Sequence, residues 1–95
     1  MTSEAIQLIW TERERQLALG YDAAHDDKRP EGALVDAALC HAMTPQGHNV
    51  AIAKKLWPYA SKFTPAPTQK EALIRAAALL LAEIERMLRK EGGAK

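Results

Sequence analysis

The segment from Thr68 to Glu91 constrains this chain most. Thr68-Gln69-Lys70-Glu71 is a capping box, in which the Thr hydroxyl and the Glu carboxylate each meet a free backbone amide at a helix start. From Glu71 to about Glu91 nearly every residue is a strong helix former, and Leu73, Ala77, Leu80, Ile84 and Met87 recur at alternating steps of four and three. This spacing predicts a long C-terminal helix with an apolar seam. Leu79, Leu81 and Leu88 widen the apolar surface, so the helix is expected either in the core or shared between subunits. Glu71 with Arg75 and Glu85 with Arg89 stand four apart in the favourable order, and Gly92-Gly93 end the element.

Only short elements remain for the rest of a 95-residue chain, which makes one domain, residues 1–95. Thr2 or Ser3 can cap a first helix whose buried face is expected to carry Ile6, Ile9, Trp10 and Leu17, with Glu12-Arg13-Glu14-Arg15-Gln16 on the other face. Gly20 suits a left-handed turn that ends it near Leu19. Tyr21 to Pro30 is polar and without period, so it reads as a loop. A second helix is expected from Pro30 or Glu31, with Leu34, Val35, Ala38, Leu39 and Ala42 buried and Thr44-Pro45-Gln46-Gly47 as its stop. His48 to Trp57 fits a short helix, because Lys54 and Lys55 break any alternation. Pro58 and Phe63-Thr64-Pro65-Ala66-Pro67 form a stiffened linker. The expectation is an all-α bundle of three to four helices. Since 18 of the 95 residues are Ala, its core is thin, and such cores often recruit a second subunit. A homo-oligomer is expected.

Composition removes several function classes. Thirteen Lys and Arg against twelve Asp and Glu leave a formal charge of +1, so there is no bulk electrostatic case for nucleic acid or an anionic membrane. The one cysteine, Cys40, cannot form an intrachain disulfide, which fits a reducing cytoplasm. Met1-Thr2-Ser3-Glu4 has no basic and apolar leader, and no stretch approaches about 18 uninterrupted apolar residues. A cytoplasmic protein that neither spans the membrane nor is exported is expected. No P-loop, G-x-G-x-x-G, C-x-x-C or H-E-x-x-H occurs.

Three places could carry chemistry. His25-Asp26-Asp27, with Asp22 and Glu31 nearby, is the only local cluster of possible metal ligands, and hard cations such as Mg²⁺ need converging carboxylates. Equally, Asp26 or Asp27 can cap the second helix while His25 bonds to backbone. Glu12, Asp36, Glu83 and Glu85 are helical carboxylates, with Glu83 placed for partial burial and Glu85 for solvent, and both can pair with Arg86 and Arg89 instead. Trp57-Pro58-Tyr59 beside Lys54, Lys55 and Lys62 can stack a base and neutralise phosphate, or form the lid of a small core with lysines reaching outward. Cys40 and His41 are adjacent on a helix, so they point about 100° apart; a small buried Cys beside a satisfied His is expected, not a nucleophile and its base.

The order of these motifs resembles a group of small phage and prophage proteins. In that group an E-R-x-R-Q helix, a G-Y or G-W followed by H-D-D, a W-P turn and an A-L-I-L-A-E-I-E-R helix recur. The matching residues are Glu12 to Gln16, Gly20-Tyr21, His25-Asp26-Asp27, Trp57-Pro58 and Ala76 to Arg86. The resemblance implies a phage-encoded accessory protein that acts against a host defence by stoichiometric binding of a host protein or a nucleotide-derived signal. Tyr21, His25, Asp26, Asp27, Lys54, Trp57 and Tyr59 are then the candidate ligand-binding residues, with no cofactor. The chain is more distantly similar to MazG-like helical nucleoside triphosphate pyrophosphohydrolases. That likeness implies Mg²⁺ held by Asp26, Asp27 and helical carboxylates, although no inward E-x-x-E pair is present. A virion component is a third reading.

Overall fold

The computed structural model describes residues 2–44 and 47–92. These form five helices and no strand: α1 (Glu4–Ala18), α2 (Ala23–Asp27), α3 (Ala33–Ala42), α4 (Val50–Leu56) and α5 (Gln69–Lys90). The stops assigned to Pro45-Gln46 and to Gly93 lie outside the described residues. No described helix is long and apolar enough to cross a membrane.

Local chemistry accounts for most boundaries. The Ser3 hydroxyl accepts the Ile6 amide and opens α1, and Gly20 at φ 101° makes the left-handed turn that ends it. Tyr21 to Pro30 is not a plain loop. Its Asp22 carboxylate accepts the His25 amide at 3.0 Å and starts the five-residue α2, too short to show a period in sequence. This raises the helix count above the three or four expected. Neither Asp26 nor Asp27 caps the next helix, which begins at Ala33 behind a left-handed Gly32 and not at Pro30 or Glu31. The Thr68 hydroxyl accepts the Glu71 amide at 3.1 Å, one half of the capping box, while the Glu71 carboxylate turns to Arg75.

Helix α5 is the centre of the molecule. Ala76, Leu79 and Ala82 pack against Leu34, Ala37 and Ala38 of α3, and the small side chains let the two backbones approach closely. A second cluster of Cys40, Ala53 and Phe63 lies under α4, and Trp57 bridges the two. The molecule measures 41 × 35 × 20 Å. Its short dimension is about two helix diameters, so a helix here can bury one side only.

That thinness decides which faces lie inside, and it overturns the face expected of α1 and part of that expected of α3. On α5 the alanine-rich side is inside, together with Glu83 and Arg86, and the heptad seam of Leu73, Leu80, Ile84 and Met87 is about half exposed. On α1 the buried residues are Arg13 and Gln16, whereas Ile6, Trp10 and Leu17 face outward. On α3, Leu39 and Ala42 are exposed, and Ala33, Ala37, Cys40 and His41 join Leu34 and Ala38 inside. Periodicity locates an apolar stripe, but close approach between helices selects the stripe of smallest side chains.

Charged groups then seal the interior ends. Arg13 reaches the wholly buried Asp26 at 3.4 Å, the Tyr21 carbonyl at 3.0 Å and Glu85 at 3.4 Å. Arg86 holds Glu83 at 2.7 Å and Glu31 at 3.1 Å, and the two carboxylates raise its already high pKa further.

Candidate functional site

A cavity of about 280 Å³ opens between α1, α5 and the segment 57–64. The turn after α1 brings in Tyr21, and the chain leaving α4 brings in Trp57 and Tyr59, because Pro58 forces Trp57 into an extended backbone at φ −60° and ψ 119°. These rings interlock. Tyr21 and Tyr59 stack at 5.9 Å, Trp57 stands perpendicular on Tyr59 at 5.1 Å, and His41 meets the edge of Trp57 at 5.5 Å. Phe63 packs behind Trp57 at 5.0 Å. The result is a rigid aromatic wall.

The polar groups on this wall are incompletely paired. Gln16 Nε2 donates to the Glu12 carboxylate at 3.1 Å, which fixes the amide so that Oε1 points away from Glu12, and that oxygen is buried without a partner. His41 Nδ1 and Trp57 Nε1 are likewise buried and unpaired. Of the four such side-chain atoms among the described residues, three belong to residues that line this cavity. Each left dry costs about 1–3 kcal/mol, so three unpaired groups on residues of one cavity set it apart from the rest of the interior.

Cations stand at the rim. Arg15 grips Glu12 through two bonds of 2.8 Å, Arg75 leans on Glu71 at 3.4 Å, and Lys62 makes no ion pair among the described residues. Burial pushes the Glu12 pKa up, but the hydrogen bonds from Arg15 and Gln16 outweigh it and hold the carboxyl below its usual range. His41 is 7% exposed, and burial, with Arg75 and Arg15 adding repulsion, pushes its pKa down to about 4. It is therefore neutral at pH 7. Burial, with Asp26 and Tyr21 next, pushes the Tyr59 phenol up to about 12, so it keeps its proton as a donor.

Of the residues singled out in sequence, Tyr21, Trp57 and Tyr59 line this cavity. His25 touches the rings of Tyr21 at 4.9 Å and Tyr59 at 5.6 Å, but its Nδ1 is bonded to Asp26 at 3.0 Å. Asp26 is held by Arg13, and Asp27 is gripped by Arg89 at 2.7 Å. Among the described residues no group of three or more His, Cys, Asp or Glu is gathered closely enough to hold a metal ion. Lys54 is exposed on α4 and does not line the cavity; Lys62 does. Glu83 is buried against Arg86, and Glu85 bonds Arg13, not Arg89. Cys40 is buried, its thiol pKa raised by burial, and it donates to the Ala53 carbonyl at 3.3 Å. His41 departs from expectation, since its ring is not satisfied.

Gln16, His41, Arg15, Arg75 and Glu12 were not singled out as ligand-binding residues. One signal pointed to three of them: Glu12, Arg15 and Gln16 belong to the E-R-x-R-Q string and reach the cavity from one side of α1. No family model, no curated protein and no solved structure matches this chain.

Proposed function

We propose that the protein binds a nucleotide-derived signal in this cavity, one ligand per chain and without turnover, as a phage accessory protein acting in the host-cell cytoplasm and working as a homo-oligomer. The observation that carries the reading is a cavity whose lining residues Gln16, His41 and Trp57 each hold a buried side-chain polar atom without a partner, beside the rings of Tyr21 and Tyr59 and the cations Arg15, Arg75 and Lys62. A volume of about 280 Å³ lies at the small end of ligand pockets, enough for a base and part of its sugar with the phosphates at the rim. With a small rotation of the lining side chains that uncovers these atoms, Trp57 Nε1–H donates to a ring nitrogen or carbonyl of the base, Gln16 Oε1 accepts from an exocyclic amine, and neutral His41 serves either role by tautomer. The tyrosine pair offers a stacking face. The rim cations take the phosphate, and Glu12 accepts from a sugar hydroxyl.

Calorimetry with AMP, nucleoside triphosphates, ADP-ribose and cyclic dinucleotides, with and without Mg²⁺ and with product analysis, tests it. The expected result is saturable binding of one of them with no product, weakened at least tenfold by Arg75→Ala or Lys62→Ala. Pyrophosphate release from triphosphates that is lost in Asp27→Ala would replace this reading with a Mg²⁺-dependent hydrolase. Absence of binding to every nucleotide would overturn it in favour of a protein partner.

A further inference from the structure

Of thirteen large apolar side chains exposed among the described residues, nine belong to α1 and α5: four on α1, including Trp10 at 51%, and five on α5, including Ile84 at 55%. The two helices share grooves there, one lined by Trp10, Leu17 and Leu88 and another by Ile9, Leu73 and Ala77, so the exposed stripes form one surface. The α5 stripe does not stop at its apolar members. Lys70 continues it at one end and Glu91 at the other, still in alternating steps of three and four, and neither makes an ion pair among the described residues. The stripe is thus apolar in the middle, cationic at its start and anionic at its end.

A partner that fits must be apolar over about 30 Å, the length of 21 helical residues, with an anion opposite Lys70 and a cation opposite Glu91. Helix α5 of a second copy, reversed, supplies this. A parallel copy would set Lys70 against Lys70 and align the helix dipoles unfavourably. We propose that this α1/α5 face is a homodimer interface, in which α5 lies antiparallel on α5 of a second copy about a two-fold axis beside Leu80. This specifies the homo-oligomer named above and is independent of the ligand. The cavity opens on the opposite side of α5, through Arg75 and Leu79, so both copies keep theirs open.

Sedimentation equilibrium of the full chain from about 1 to 200 µM, a span that covers weak to moderate association, is the test. The wild type is expected to dimerise. Ile84→Lys, at an exposed position, should be monomeric with an unchanged far-UV spectrum. Lys70→Glu should weaken the dimer at least tenfold, and adding Glu91→Lys should restore it to within about threefold of wild type. Both charge changes suit the dipole of α5, so weakening by Lys70→Glu does not reflect loss of the helix. A monomer across the range, a dimer indifferent to Ile84→Lys, or a Lys70→Glu loss that Glu91→Lys does not rescue overturns the proposal. Nucleotide titration of the Ile84→Lys monomer separates this outcome from that of the ligand reading: binding there stands whether or not the dimer does.

Discussion

Asp26→Ala is the most informative single change to the fold. Asp26 has no exposed surface and Arg13 is 3% exposed, so deleting the carboxylate strands a guanidinium in the interior. Breaking a buried pair from one side costs about 3–5 kcal/mol. Arg13 keeps the Tyr21 carbonyl and Glu85, which places the loss near the lower bound, about 3 kcal/mol. For a domain of this size that lowers Tm by roughly 12–24 °C. Thermal and urea unfolding followed by circular dichroism at pH 7 would measure it. The double variant Arg13→Met with Asp26→Leu should recover most of the loss, because an apolar pair of similar volume removes both desolvated charges. Asp27→Ala, at a half-exposed position, should leave Tm almost unchanged. If Asp26→Ala proved as stable as wild type or more so, the reasoning would be refuted. A gain in stability is what a crowded carboxylate site awaiting a metal would give, since removing one anion there relieves repulsion.

Further outcomes follow from the cavity and its surroundings. His41 has a folded-state pKa of about 4 against about 6.5 unfolded, so between these values the unfolded chain binds the extra proton. Stability should be full above about pH 6.5 and fall by up to about 3 kcal/mol towards pH 4, and His41→Gln should flatten that part of the urea-unfolding profile. A profile unchanged by His41→Gln would contradict the burial of a neutral ring. Gln16→Met removes an unpaired buried oxygen and one hydrogen bond to Glu12, so folding stability should shift by no more than about 1 kcal/mol while nucleotide affinity drops at least tenfold. Equal affinity in calorimetry would remove Gln16 from the site. Cys40 should resist a thiol reagent in the native state and react at the rate of global opening, since it is fully buried and its thiol is held protonated by burial; fast native labelling would contradict the packing under α4.

The legible parts of the sequence were those governed by local hydrogen bonding. Ser3, Gly20 and Thr68 each act where a helix end needs them, and the all-helical class follows from such signals with the long run after Thr68. The inward faces were legible only in part: Leu34 and Ala38 are inside as their spacing predicts, whereas on α1 a 20 Å slab leaves the apolar stripe outside, and on α5 the alanine side is the one that packs on α3. Helix α2 escaped because five residues carry no period. The site was half visible. Trp57-Pro58-Tyr59 stood out as aromatic faces near charge, and Tyr21 joined them. Gln16 and His41 could not be found, since what distinguishes them is a missing partner, a property of the assembled interior and not of the chain. The most motif-like string, His25-Asp26-Asp27, binds Tyr21, Tyr59, Arg13 and Arg89 together and holds the turn behind the aromatic wall.

The most direct test of the central claim uses the chain's two tryptophans, which sit in opposed places: Trp57 with its indole N–H buried and unpaired at the cavity, Trp10 on the exposed α1/α5 face. Their indole N–H signals in a nitrogen-15 correlation spectrum can be followed during titration with AMP, ADP-ribose and cyclic dinucleotides at fixed protein concentration. Binding in the cavity moves the Trp57 signal downfield as its N–H gains an acceptor and slows its exchange with solvent, while Trp10 stays in place. A Trp57 signal that none of these compounds moves, or a shift confined to Trp10, would contradict the account.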